Sequence, residues 1–212
     1  MKKALVTLAV FAGLAVSHVA KADTNLIQNG NFANSNVTDG KYAYANGWAG
    51  TSLTVPSWTF TDGSGIANKS SAWGGVAQNQ AVAFVQYYGG FTSNSPTISQ
   101  TFSSSSSAYA VSFDIANRSG YGTESLTVTL DGQTVVASLA ATGTSFSTYS
   151  YNVAGLTGTT HTLTFRGVGN TANDSSVFLT NVNVAAVPEP ETYAMLLAGL
   201  GLLGAVARRK QK

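Results

Sequence analysis

Apolar and polar residues alternate with period two in short segments separated by Gly, Ser and Asn, which predicts an all-β fold, a β-sandwich or jelly roll, for the body of this 212-residue chain. Two further observations point the same way. Between Asp23 and Ala185 no apolar pattern of helical period persists for ten residues. The short segments are joined by Ser, Gly and Asn turns, as a sandwich or jelly roll requires, and with 46 Ser and Thr among those 163 residues the surface is hydroxylated rather than charged.

The elements follow in chain order. Residues 1–22 carry Lys2 and Lys3, an apolar run from Ala4 to Val16, and then Ala20-Lys21-Ala22. That order of positive, apolar and small-x-small regions is a secretory signal helix, cut by signal peptidase after Ala22. The apolar run falls short of the roughly 20 residues that a bilayer span needs, so the mature chain is expected to be exported and to begin at Asp23.

Strands are expected at 25–32, 57–61, 81–86, 97–102, 109–117, 125–131, 146–153, 160–166 and 177–184. The clearest is 109–117, where Val111, Phe113 and Ile115 share one face and Ser112, Asp114 and Ala116 the other. Asp131-Gly132 is a two-residue hairpin signal leading into Val135 and Val136. The tract from Ser103 to Ser107 falls where a loop between two strands is wanted.

Beyond the body, residues 186–212 read as a stiff spacer, a helix and a positive stop. Val187-Pro188-Glu189-Pro190 is extended because proline fixes φ and removes donors. The apolar stretch at about 193–207 is expected to be a short transmembrane helix of about 22 Å, less than the ~30 Å hydrocarbon core, and so to need help from its flanks. Arg208, Arg209, Lys210 and Lys212 should hold the terminus on the cytoplasmic side.

This succession of Pro-Glu-Pro, short apolar helix and basic terminus resembles the PEP-CTERM sorting signal of bacterial exported proteins. The resemblance covers about the last 26 residues. It implies an inner-membrane intermediate recognised by an exosortase-type transpeptidase, cut near Pro188, Glu189 and Pro190, and delivered to the cell surface or extracellular matrix.

Charge excludes one class of partner. Seven of the eleven Lys and Arg lie at the chain ends, and from Asp23 to Ala185 four bases face seven acids, net −3, so no nucleic acid is drawn to the body. The absence of Cys removes thiolate metal sites, and the mature chain keeps a single histidine, His161. His161 shares parity with Leu163 and Phe165, which places it at the edge of the core rather than in a catalytic site. Asp62, Asp114, Glu124 and Asp174 are the carboxylates from which a glycosidase pair would have to come.

Five phrases punctuate the body: Asn25 to Phe32, Pro56-Ser57-Trp58, Ile98 to Phe102, Tyr109 to Asp114 and Val177 to Val184. In that order they are similar to the galactose-binding-like jelly roll of carbohydrate-binding modules and of a related group of plant cell-wall proteins. Such modules often hold a structural calcium with an acid after the opening Phe and another in the closing strand. Ala33 and Thr180 stand at those positions here, so no cofactor is expected and inherited calcium is disfavoured.

Sugar binding asks for aromatic platforms with amides, Arg and acids beside them. The segment 73–91 supplies Trp73, Gln78, Asn79, Gln80, Gln86, Tyr87 and Tyr88, and Arg118 and Tyr121 lie at an expected loop tip. Trp73, Tyr88, Arg118 and Tyr121 are therefore the candidate ligand-binding residues, with Trp48 and Trp58 expected to plug the sandwich. The function expected is a non-catalytic, surface-sorted protein that binds extracellular polysaccharide. The alternatives are a purely structural or adhesive surface protein and, more weakly, a glycoside hydrolase.

Overall fold

The computed structural model describes residues 24–89, 95–168, 174–187, 197–203, 206 and 208–209. In chain order its strands are β1 (Tyr42–Tyr44), β2 (Thr59–Phe60), β3 (Ser64–Ala67), β4 (Val82–Tyr87), β5 (Thr97–Ser103), β6 (Ala108–Asn117), β7 (Gly122–Thr123), β8 (Ser125–Leu130), β9 (Gln133–Ala140), β10 (Ser147–Ala154), β11 (Thr160–Gly167) and β12 (Ser175–Ala186). A 3-10 turn, Gly75–Gln78, lies between β3 and β4. Sheet I has the order β1-β3-β4-β12-β6-β10, with β7 added parallel to the start of β12, and sheet II has the order β2-β5-β11-β8-β9. Apart from β7 every pairing is antiparallel, so the body is a β-sandwich of jelly-roll type.

Alternation puts the core between the sheets. Val111, Phe113 and Ile115 of β6 and Val177 and Leu179 of β12 meet Leu126, Val128 and Leu130 of β8 and Leu163 and Phe165 of β11, all fully buried. The Phe113 and Phe165 rings touch edge to face at 5.1 Å. Sheet II is wet on its other side, where Ser99, Thr101, Thr127, Thr129, Thr162 and Thr164 stand in cross-strand register. The outer side of sheet I carries a second apolar cluster of Tyr44, Ala67, Trp73, Ala77, Val82, Phe84, Ala116 and Phe178. Strands β4 and the first half of β12 are thus buried on both faces, which is why Val82 to Val85 and Val177 to Leu179 read as unbroken apolar runs.

The Asp131-Gly132 hairpin forms as expected, with φ of 53° and 79° at its two central residues. The strand expected at 25–32 does not form. Asn25 Oδ1 accepts the amides of Ile27 and Val184 and its Nδ2 donates to the Val182 carbonyl, so side-chain bonds interleave with the backbone bonds Leu26 N to Val184 O and Val182 N to Gly30 O and no continuous ladder forms. Positive φ at Asn29 and Phe32 then turns the chain out of the extended state and drives the Phe32 ring into the core. Short β1, β3 and β7, of three, four and two residues, are too brief to show a period and are not among the expected strands.

Signal residues Ala20 and Ala22, and tail residues Pro188, Glu189, Pro190, Lys210 and Lys212, lie outside the described residues. The Val187 amide donates to the Ala108 carbonyl at 2.9 Å and so ties the root of the tail to the sandwich. Residues 197–203, 206, 208 and 209 are helical and exposed, including Arg208 and Arg209. Among the described residues no helix is long and apolar enough to cross a membrane.

Trp58 closes one end of the sandwich. Its ring lies 4.9 Å from that of Phe32, and its Nε1 donates to the carbonyls of Gln28 and Asn29 at 3.1 and 3.0 Å. Trp58→Ala should cost roughly 3–5 kcal/mol by opening a cavity and lower Tm by roughly 10 °C; calorimetry checks this. Gly65→Ala should also destabilise, because a Cβ there would lie 2.1 Å from the Ala43 carbonyl oxygen and 2.4 Å from the Phe84 ring. Both variants unfolding at the unsubstituted temperature would contradict this packing.

Candidate functional site

On the outer side of sheet I, Tyr42, Tyr44, Trp48, Ala72, Trp73, Gln86, Tyr88, Arg118 and Asp174 line a cleft of about 250 Å³. Its floor is set by strand parity: Val82, Phe84 and Gln86 of β4 share the outward face, two apolar residues followed by an amide. The segment between β3 and β4 folds back over that face and lays the Trp73 indole on the Phe84 ring, with centroids 3.8 Å apart and planes 22° apart. Tyr44 abuts the same Phe84 ring edge to face at 4.9 Å. Trp48 in turn stands edge to face on Tyr44 at 5.5 Å and is 64% exposed.

Arg118 follows β6 and enters the cleft from the opposite side. Its guanidinium carbon lies 4.1 Å from the Trp73 centroid and 3.6 Å from that of Tyr121, so it is held between two rings. Phe84 occupies one face of the indole, leaving the other to the guanidinium. Arg118 Nε donates to the Trp73 carbonyl at 3.4 Å, and Nη1 lies 3.9 Å from Asp174 Oδ1, an ion pair without a direct hydrogen bond.

A chain of side-chain bonds runs along the floor. The Tyr44 hydroxyl donates to Gln86 Oε1 at 2.5 Å, and Gln86 Nε2 donates to Asp174 Oδ1. Burial pushes the Tyr44 phenol well above its ordinary range, the Arg118 charge acting against that shift and Asp174 adding to it. Tyr44 is therefore a neutral donor at any physiological pH, which fixes the direction of the chain. The cleft shows solvent the Asp174 carboxylate, an acceptor, the Arg118 terminal nitrogens, donors, and ring surface of Trp48 and Tyr88, which are 64% and 38% exposed.

Of the residues the sequence picks out, Trp73, Tyr88 and Arg118 meet in this cleft. Tyr121 stacks on Arg118 and is 45% exposed, beside the cleft rather than in its lining. Trp73 corrects an expectation: it is 4% exposed, because Phe84 and Arg118 cover its two faces, and so it is no open platform. Trp48 corrects another, since it is the exposed ring rather than a plug. Tyr42 and Tyr44 do not stand out in the sequence because the three-residue β1 has too few positions to show alternation. In the sequence Asp174 is one of four carboxylates that nothing there pairs.

Of the remaining polar candidates, His161, Asp114 and Glu124 are bonded within the fold, and Asp62, half-buried at a φ of 47°, does not line the cleft. His161 is fully buried, its Nδ1 2.6 Å from Asp131 Oδ2 and its Nε2 3.2 Å from the Ser104 carbonyl, so neither ring nitrogen addresses a hydroxyl nucleophile. Asp114 accepts from Thr148 at 2.6 Å and Asn181 at 2.7 Å, and buried Glu124 accepts from Ser175 at 2.9 Å. Among the described residues Asp174 is the one carboxylate lining the cleft.

A notch between the opening segment and β12 is lined by Asn25, Ile27, Asn29, Gly30, Asn31, Asn181, Val182 and Asn183. Its side-chain oxygens are amides, and those of Asn25, Asn29 and Asn31 already accept backbone amides. Ala33 is exposed and supplies no ligand oxygen from its side chain, and Thr180 offers only a hydroxyl. Among the described residues no carboxylate lines this notch, so they supply none of the charge that a calcium ion needs.

Residues 186–210 match the model of the PEP-CTERM protein-sorting motif. No curated protein matches the chain. Among solved structures it is similar to TmCBM61 in complex with beta-1,4-galactotriose, at TM-score 0.49 and 15% identity over 77% of this chain and 99% of that one. It is also similar to a family 16 carbohydrate binding module, at TM-score 0.46 and 13% identity over 76% and 99%. A third is the CBM22-1 xylan-binding domain from Paenibacillus barcinonensis Xyn10C, at TM-score 0.45 and 16% identity over 64% and 89%. The tail of this chain is a PEP-CTERM sorting motif, and the solved structures it resembles include carbohydrate-binding modules with a jelly-roll fold.

Proposed function

We propose that this chain is an exported, surface-sorted protein that binds extracellular polysaccharide without cleaving it. The observation that carries the reading is the cleft itself: a hydrogen-bond chain of fixed direction ends in an Asp174 acceptor and Arg118 donors, beside the exposed rings of Trp48 and Tyr88. A pyranose has apolar C–H faces and hydroxyls at its rim, and stacking on a ring with hydroxyls bonded to a charged donor and acceptor suits both. Cleavage by the usual route needs a second carboxyl facing the same bond, and the lining holds one. In the tail, Pro188, Glu189 and Pro190 are the site for an exosortase-type transpeptidase. The apolar helix and Arg208, Arg209, Lys210 and Lys212 hold the chain in the membrane until it is cut.

Affinity electrophoresis against a broad panel of soluble polysaccharides tests the binding. Trp48→Ala, Tyr88→Ala and Arg118→Gln should each weaken retention about tenfold, the equivalent of roughly 1.4 kcal/mol, with the far-UV spectrum unchanged. Retention by none of the panel would leave a structural or adhesive protein whose hydroxylated sheet II surface does the work.

The tail is tested separately. Pro188→Ala combined with Glu189→Ala should give a protein that is exported but stays in the membrane at full length, read by fractionation and intact mass. Deleting residues 208–212 should instead let the short helix slip through. Unchanged processing of the double variant would remove the transpeptidase from the account.

A further inference from the structure

Strand β10 ends sheet I, and its open edge faces away from β6. The direction of each backbone group follows from two bonds. Val187, just after β12, donates to the Ala108 carbonyl at 2.9 Å, so Ala108 faces β12; Asn117 donates to the Gly143 carbonyl at 2.8 Å on the β10 side. Backbone groups alternate sides along a strand, so Tyr109, Val111, Phe113 and Ile115 address β10. Their register partners Val153, Tyr151, Tyr149 and Ser147 face back toward β6. The N–H and C=O groups of Thr148, Ser150 and Asn152 therefore point outward, and among the described residues they meet no partner. Ala154 follows the same rule, its outward carbonyl accepting Gln133 Nε2 at 3.4 Å.

Edges of this kind are normally guarded by charge, proline or a bulge. No charged residue and no proline lies between Gln133 and Thr160, a stretch that contains both β9 and β10, the two strands that end their sheets on this side. The exposed edge is also self-complementary. Thr148-Tyr149-Ser150-Tyr151-Asn152 is a near-palindrome in chemistry about Ser150, polar at its ends and tyrosine on either side of the centre.

We propose that β10 is an interface between two copies of this chain, paired antiparallel about a twofold axis at Ser150. In that register Ser150 opposes Ser150 of the second copy and Thr148 opposes Asn152, each an outward-facing pair that exchanges two backbone bonds. Tyr149 opposes Tyr151 in the closer, non-hydrogen-bonded positions, where aromatic pairs add to sheet pairing. Both rings are half-buried against the core of their own copy, with the edge side of each left to the partner. Thr148 is held on the outer face by Asp114, so its side chain does not block the approach. The joined sheets would give a surface-sorted protein two clefts in one rigid body, a bivalent arrangement that raises retention on a polymer.

The natural absence of Cys makes the register directly testable in the full-length chain. Opposed outward-facing residues have Cα atoms about 5.5 Å apart, within the range a disulfide bridges. Mild oxidation of Ser150→Cys should shift the chain from the monomer to the dimer band on non-reducing electrophoresis. Asn152→Cys, whose partner is Thr148, should stay monomeric under the same conditions, and Thr148→Cys added to it should restore the dimer. Ser150→Cys remaining monomeric, or dimerising no better than Asn152→Cys, would overturn the interface.

Discussion

The stack of Trp73 on Phe84 is the contact on which the functional face depends. Burying an indole of this size is worth roughly 4–6 kcal/mol before entropy is counted, and here it is achieved outside the sandwich core, on a sheet face that many sandwiches leave wet. The consequences run outward from it. Gly65 has no side chain because the Phe84 ring and the Ala43 carbonyl occupy the space where one would go. The free indole face receives Arg118, which Tyr121 covers from the other side, so a long, flexible side chain is reduced to one position. Arg118 and Gln86 then flank Asp174. Polar groups in the cleft are thereby placed before any ligand arrives, which lowers the ordering cost of binding.

Charge is managed locally rather than by the surface as a whole. The body is mildly acidic and mostly hydroxylated, and the cleft pairs one cation with one anion at 3.9 Å. Such a pair offers a donor and an acceptor side by side while holding almost no net charge, a chemistry matched to hydroxyl groups. The sorting motif at 186–210 begins at the last residue of β12, a central strand of sheet I, and Val187 is bonded to the start of β6. The tail therefore leaves a rigid anchor point on the sandwich.

The sequence shows the fold well wherever a strand is buried on one face. Strands β5, β6, β8, β11 and the second half of β12 alternate, and the Asp131-Gly132 turn is written in two residues. It shows less where the period is lost. Residues 25–32 look like a strand because Leu26 and Ile27 are apolar, but the Asn side chains around them bond the backbone and positive φ at Phe32 ends any extension. The site is half legible. Trp73, Tyr88 and Arg118 are near in sequence to other polar and aromatic residues and could be found by clustering, whereas Tyr44 and Gln86 lie 42 positions apart and meet only because β3 pairs both β1 and β4. Composition alone cannot tell a tryptophan lying beneath a guanidinium from one open to solvent, and that is why Trp48 and Trp73 exchange the roles expected of them.

The arrangement of the three tryptophans is the central claim, and solute quenching of fluorescence measures it directly. Variants that keep one of Trp48, Trp58 and Trp73, with the other two replaced by Phe, would be titrated with acrylamide in the folded state. The account predicts ready quenching of Trp48 and protection of Trp58 and Trp73 that disappears on unfolding. Quenching of Trp73 as strong as that of Trp48 would contradict it, since the indole would then be open to solvent and could not be the fixed surface that positions Arg118.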